Sequence, residues 1–215
     1  MMHGPDGAVY VGGTAGYGQL EGPLLRWTGG LGSVQPFSDL VKNESVVSLT
    51  STKDLVIGGT TTTGGGGSHP TETDAHVFGW RPATKTKTFD VIPVPGASVI
   101  TDLAVGKSGR IFGFAISGSQ HTLFALDPHD GHTLTVRDTD FHNMVYNGLG
   151  SLRSGQLIGL DESGIFTIDE TRTSVKMLAA SPVKITGGFE LRDGAVYFIS
   201  NSDLYRYWLE TPHAH

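Results

Sequence analysis

Asp6-Gly-Ala-Val-Tyr-Val-Gly-Gly13 reads as a turn followed by a short apolar strand that ends in glycine, and the same reading returns four more times along the chain. The copies are Lys53-Asp-Leu-Val-Ile-Gly-Gly-Thr60, Gly109-Arg-Ile-Phe-Gly-Phe-Ala115, Gly155-Gln-Leu-Ile-Gly-Leu-Asp161 and Asp193-Gly-Ala-Val-Tyr-Phe-Ile199. We term these the B strands. A second apolar run, the C strand, follows each of them: Pro23–Trp27, Ala75–Trp80, Thr122–Pro128, Gly164–Asp169 and Asp203–Trp208. A small-residue A strand precedes four of them, at Ser45–Leu49, Ser98–Leu103, Met144–Leu149 and Lys184–Phe189. A more polar D strand closes four units, at Val34–Phe37, Thr88–Ile92, Leu134–Arg137 and Ser174–Leu178. Short turns containing Gly or Asp join the strands, and no amphipathic helix of normal length interrupts the order.

The spacing of these units decides the architecture. Leu126 to Ile168 is 42 residues, Leu103 to Leu149 is 46 and Leu149 to Phe189 is 40. A four-stranded unit of about 40–45 residues is the blade of a β-propeller. The step from Leu49 to Leu103 is longer, at 54 residues, because it contains an insertion between Thr60 and Asp74. A helical solenoid needs 3.6-residue apolar periodicity, which this alternating chain lacks, and a β-sandwich gives no reason for the repetition. The expected fold is therefore all-β, a propeller of about five four-stranded antiparallel units at 5–42, 43–96, 97–142, 143–182 and 183–210, with a polar tail at 211–215.

Composition agrees and narrows the function. The 215 residues include 31 glycines, about twice the usual share, as tight turns require. Hydrophobic residues at 38% suffice for a core, and charged residues are sparse at 17%. No run approaches the length of a membrane span. A net charge of -6 offers nothing to neutralise a phosphate backbone, so nucleic acid is not an expected partner. Without cysteine there is no disulfide, thiol nucleophile or cysteine zinc site. The start, Met1-Met2-His3-Gly4-Pro5, shows no secretory leader pattern.

Leu123-Phe-Ala-Leu-Asp-Pro-His-Asp-Gly-His-Thr-Leu134 resembles the Leu-Tyr-Ala-Leu-Asp-Pro-x-x-Gly-x-x-Leu repeat of quinoprotein-like and YVTN-like bacterial propellers. Arg26-Trp27, Gly79-Trp80-Arg81-Pro82-Ala83-Thr84 and Asp203-Leu-Tyr-Arg-Tyr207 are similar to strands of propellers in large secreted proteins that accompany polysaccharide breakdown. The resemblance implies a bacterial, extracellular propeller. The Trp that follows the Gly in quinoprotein repeats is missing here, so no quinone, and no other cofactor, is implied.

The first unit shows B, C and D without A, and the last shows A, B and C without D, so the ends do not complete one another. Two readings stay open: a five-bladed ring with two trimmed blades, or the C-terminal part of a larger ring, which the polar ending at Thr211-Pro-His-Ala-His215 favours. Exposed A and C edges are templates for strand addition, so a homodimer is a further expectation.

In a propeller the D–A and B–C loops emerge on one face beside the channel, where ligands usually sit, an inference by analogy of fold. Sorting the loops in this way collects Tyr17, Asn43, His69, His121, Asp140 and His142 on that face as candidate ligand-binding residues. Two functions follow. The first is a noncatalytic recognition or scaffold module for a carbohydrate or protein ligand. The second is a polysaccharide lyase or hydrolase with His121 or His142 as general base and Tyr17 as acid. A hydrolase needs two opposed carboxylates, and Glu21, Glu44, Asp140, Asp161 and Glu162 offer no evident pair. The histidines lack the tight spacing of a metal site, so no metal is expected. Gly64–Gly67 lacks the Lys-Ser/Thr and the helix of a phosphate loop and reads as a flexible rim loop able to fold over a ligand, or as an edge contact with another domain. Asp127, Asp169 and Asp203 read as turn residues. Trp27, Trp80 and Trp208 read as core filler between blades.

Overall fold

The computed structural model describes residues 1–30, 33–141 and 143–209. Among these residues the chain forms strands and turns only, and no helix is long and apolar enough to cross a membrane. Sheet 1 comprises β1 (Met2–His3), β2 (Val9–Gly12), β3 (Leu24–Trp27) and β4 (Val34–Phe37). Sheet 2 follows with β5 (Ser45–Ser51), β6 (Val56–Thr61), β7 (Val77–Arg81) and β8 (Thr86–Val91), and sheet 3 with β9 (Val99–Val105), β10 (Ile111–Ser117), β11 (Gln120–Leu126) and β12 (Thr133–Asp138). Sheet 4 holds β13 (Met144–Ser151), β14 (Leu157–Asp161), β15 (Gly164–Asp169) and β16 (Ser174–Ala180). Sheet 5 holds β17 (Gly187–Arg192), β18 (Ala195–Ser200) and β19 (Asp203–Trp208). Within each sheet the strands run antiparallel in chain order, and one pairing, Thr61 with Val99, bridges sheets 2 and 3. This is the β-propeller expected from the repeat.

Packing explains why the repeat reads as it does. Successive side chains of a strand point to opposite faces, so a blade stacked between two others needs apolar residues on both. Sheets 1 and 2 enclose Tyr10, Leu24, Val46, Val56, Phe78 and Trp80. Sheets 2 and 3 enclose Ile57, Val77, Ile100, Ile111 and Phe124, and sheets 3 and 4 enclose Phe112, Phe114, Leu123, Leu157 and Phe166. Val145, Ile158, Ile165, Val196 and Phe198 fill the space between sheets 4 and 5. Phe114 and Phe166 meet edge to face with ring centroids 5.7 Å apart.

Two findings differ from the sequence reading. The first unit does have an inner strand: Met2 pairs with Tyr10 and His3 with Val9 across a turn closed by the Gly4 amide on Ala8 O. Two residues carry no alternation, which is why the strand is invisible in the sequence. Of the three tryptophans, only Trp80 fills a core, 6% exposed and 4.6 Å from the Phe37 ring centroid. Trp27 is 43% and Trp208 38% exposed, because sheets 1 and 5 each have one face with no sheet packed on it among the described residues.

Phe166→Ala removes a fully buried ring from the core shared by sheets 3 and 4 and is expected to destabilise by about 3–5 kcal/mol. The exposed Thr133→Ala should stay within about 0.5 kcal/mol. Urea denaturation followed by circular dichroism checks both.

Candidate functional site

The loops β2–β3 and β6–β7 both leave the B–C end of their sheets, and they interlock. The Gly18 amide donates to Gly66 O at 2.8 Å and the Gly65 amide to Gln19 O at 2.8 Å. Gly65 is required by this approach, since a Cβ there would stand 1.8 Å from Gly16 O. Tyr17 then lies over the glycine run: a Cβ on Gly67 would come within 2.9 Å of Tyr17 Cζ. The Tyr17 side chain is nevertheless 88% exposed. The Tyr17 ring thus stands beside the glycine run with almost all of its surface in solvent.

The same insertion is pinned at two further places. Asn43 Nδ2 donates to Thr71 Oγ1 at 2.9 Å and to Glu72 Oε1 at 3.1 Å, and Asn43 adopts a φ of 57° that lets it do so from the β4–β5 loop. Asp74 Oδ1 accepts from the Gly96 amide at 2.5 Å. The residues 60–74 therefore form a fastened platform, in place of the flexible cover expected from the glycine run. Tyr17, Asn43 and the exposed His69 share this platform. His121 and Asp140 belong to sheet 3: the His121 side chain is buried at the start of β11, 6% exposed, and Asp140 is exposed in the β12–β13 loop. His142 lies outside the described residues, as does the tail at 211–215.

Beneath the platform is a charged cluster that the sequence reading passed over. Buried Glu44 accepts a hydrogen bond from the Thr60 hydroxyl and stands 3.7 Å from His76 Nε2. His76 Nδ1 is 2.5 Å from Asp90 Oδ1, and Lys87 Nζ reaches Asp90 Oδ2 at 2.6 Å and Leu40 O at 2.5 Å. The Asp90 bond, with Glu44 behind it, raises the His76 pKa and so favours the imidazolium against burial. Burial raises the Glu44 carboxyl despite the Thr60 and His76 contacts. The network spans the ends of four strands of sheet 2 and ties them together. His76 was hidden because its partners lie 14 and 32 residues away, at Asp90 and Glu44.

A second feature lies on the inner strands. β5, β9, β13 and β17 each carry a bulge, at Val46/Ser48, Ile100/Asp102, Met144/Leu149 and Gly187/Glu190. A bulge redirects side chains out of the ladder, and here Val47, Tyr146, Asn147 and Phe189 line a cavity of about 540 Å³ among the inner strands. Two bonds latch neighbouring bulges together, from β5 to β9 and from β9 to β13. Ser48 Oγ donates to Ile100 O at 2.8 Å, and Asp102 Oδ1 accepts from the Gly148 amide at 2.6 Å. Asp102 is 2% exposed, and burial pushes its carboxyl up to about 7 against the bonds from Thr101, Gly148 and Leu149. The pKa of Tyr146, half above the cavity, is raised by burial and by Asp102. A lone Asp inside Val99-Ile-Thr-Asp-Leu-Ala-Val105 was the available signal.

Four of the five carboxylates weighed for catalysis have structural partners, and the fifth, Asp140, is exposed. Glu21 accepts from the Asp39 amide, Asp161 caps its own turn through the Ser163 amide at 2.9 Å, and Glu162 pairs with Lys184 at 2.9 Å. Asp127 and Asp169 bond the amides two residues on at 2.8 and 2.9 Å, as turn residues do. No group of three or more His, Asp or Glu that would hold a metal occurs among the described residues.

No protein-family model matches the sequence, and no curated protein sequence matches it. Solved structures do. A gluconolactonase from Xanthomonas campestris superposes with a TM-score of 0.66 at 12% identity, over 94% of this chain and 68% of its own. BamB from Moraxella catarrhalis gives 0.63 at 11%, over 97% of this chain and 56% of its own. The Dos1 propeller gives 0.62 at 15%, over 96% and 55%. The chain thus spans little more than half the length of the last two. At such identities the likeness establishes the fold, and it agrees with the repeat resemblance: the chain is a β-propeller repeat protein. These neighbours include an enzyme, so the fold is compatible with both binding and catalysis.

Asp102 yields a pH test. Its carboxyl titrates near 7 when folded and near 3.8 when unfolded, so between these values the folded chain keeps a proton the unfolded chain has lost. Stability from this group therefore falls as pH rises through that window, by about 4 kcal/mol in all. Asp102→Asn keeps an acceptor for the Gly148 amide and removes the slope. Urea midpoints should be similar for the two proteins at about pH 4 and higher for the variant at about pH 8.

Proposed function

We propose that the protein is a noncatalytic recognition propeller that binds a carbohydrate through the loop platform of sheets 1 and 2. The observation that carries this reading is Tyr17, an 88% exposed aromatic ring presented beside Gly66–Gly67 on the interlocked loops. Its apolar surface suits the C–H face of a sugar. His69, Thr71 and Glu72 of the same insertion add hydrogen-bonding groups to the platform. The occupation of Glu21, Glu44, Asp161 and Glu162 in structural bonds also supports binding without catalysis. The alternative, a polysaccharide lyase or hydrolase at the channel mouth, requires His121 or His142 to reach substrate, and the His121 imidazole is buried.

A polysaccharide panel tested by calorimetry, with parallel reducing-sugar and unsaturated-product assays, separates the two. The expected outcome is binding without product, weakened roughly 30-fold by Tyr17→Ala, about 2 kcal/mol, and retained by Tyr17→Phe. Binding unchanged in Tyr17→Ala, or a cleaved product, would refute the proposal.

A further inference from the structure

Three consecutive residues fasten both loops of the platform. Asn43 holds Thr71 and Glu72 of the β6–β7 insertion through its side-chain amide. The Glu44 carbonyl accepts from the Gly22 amide at 3.3 Å, and Ser45 Oγ accepts from the Ala15 amide at 2.9 Å, so the same segment holds the β2–β3 loop. The middle side chain turns inward. Glu44 is 2% exposed, one of its carboxylate oxygens takes the Thr60 hydroxyl, and the other, Oε1, has no hydrogen bond. His76 Nε2, 3.7 Å from Oε1, is the one cationic group within ion-pair distance of Glu44 among the described residues.

The imidazole is fixed in turn. Its Nδ1 meets Asp90 Oδ1 at 2.5 Å, and the His76 amide donates to the Thr60 hydroxyl at 2.8 Å. With Nδ1–H directed at Asp90, the second proton of the imidazolium lies on the Glu44 side. Loss of that proton leaves a buried carboxylate with no cation facing it, and an uncompensated charge is costly to keep from water. Glu44 regains water only by leaving its place, and its chain neighbours Asn43 and Ser45 are the residues that hold the loops. The other charged groups facing the imidazole are Lys87, on β8 with Asp90, and Asp74, two residues before it in the chain; β6 contributes the uncharged Thr60.

We propose that the Glu44–His76 pair is a proton-dependent clasp for the platform, closed while the pair holds its shared proton and loosened once that proton is lost, so that the platform captures carbohydrate better in mildly acidic than in alkaline solution. The effect on capture rests on the recognition reading above, whereas the clasp rests on the bonds of residues 43–45 alone. Titration acts in the same sense. The pKa of His76 is raised, first by the Asp90 bond, and that of Glu44 is raised by burial, so the closed segment keeps protons that an opened one releases. Closure therefore weakens as pH rises, for Glu44 from its ordinary value of 4.5 upward and for His76 from 6.5 upward.

The test reads the clasp directly, through the exchange protection factors of the Ala15 and Gly22 amides measured by NMR on the whole chain and two variants. In the unaltered chain protection is expected to fall at least about tenfold between about pH 6 and about pH 8.5, the linkage of one pKa unit. Glu44→Gln keeps an acceptor for Thr60 and has no charge to strand, so most of that fall is expected to vanish. His76→Gln leaves Glu44 without its cation, and low protection is expected already at the lower pH. Asp102 titrates in the same range, and its effect persists in Glu44→Gln, so the variant separates the two groups. Far-ultraviolet circular dichroism matching the unaltered chain shows that both variants are folded. Equal protection at the two pH values in the unaltered chain, or a fall that Glu44→Gln retains in full, would overturn the proposal. No ligand enters the measurement, so a polysaccharide panel without binding counts against the recognition reading and leaves the clasp standing.

Discussion

A twisted four-stranded sheet with apolar side chains on both faces is not stable alone, and the need to cover both faces governs this molecule. The chain meets it by repetition. Each unit of about 40 residues supplies one sheet, and each sheet covers the previous one and is covered by the next. The hydrophobic effect acts on area removed from water, so stability accumulates interface by interface along the stack. Sheets 2, 3 and 4 have two such interfaces. Sheets 1 and 5 have one each among the described residues, which is where Trp27 and Trp208 are left partly in water.

The stack also places the chemistry. Because every sheet runs A to D in the same sense, all B–C and D–A loops share an end, and the loops of sheets 1 and 2 are close enough to interlock through Gly18, Gly65 and Gly66. The Glu44–His76–Asp90 cluster holds the strand ends of sheet 2 beneath them. At the centre, Ser48 and Asp102 latch the bulges of the inner strands. The buried carboxyl there is costly in its charged form, and its raised pKa expresses that cost. The proposed recognition surface is thus built from loops on a frame of packed sheets.

The repeat and the strand order were legible because they depend on spacing and alternation, which are local, and that order alone assigns Tyr17, Asn43 and His69 to B–C and D–A loops. The two-residue strand Met2–His3 was not, since its pairing partner, and nothing in its own composition, makes it a strand. The fate of Trp27 was misread for a related reason: a strand's sequence says which residues share a face, and only the neighbouring sheet says whether that face is covered. His76 and Asp102 depend on contacts across 14 to 46 residues, with Asp90, Glu44 and Gly148. The Gly64–Gly67 run suggested flexibility, whereas its glycines serve close approach to Gly16 and Tyr17.

Hydrogen–deuterium exchange measures the central claim most directly, because it reads the stability of each sheet separately. The account predicts slowest exchange in β6, β10 and β14, whose sheets are covered on both faces, and faster exchange in β2 and β18, which are also B strands but lie in sheets covered on one. Equal protection of all five B strands would contradict it, for stability would then not follow the covering of sheet faces.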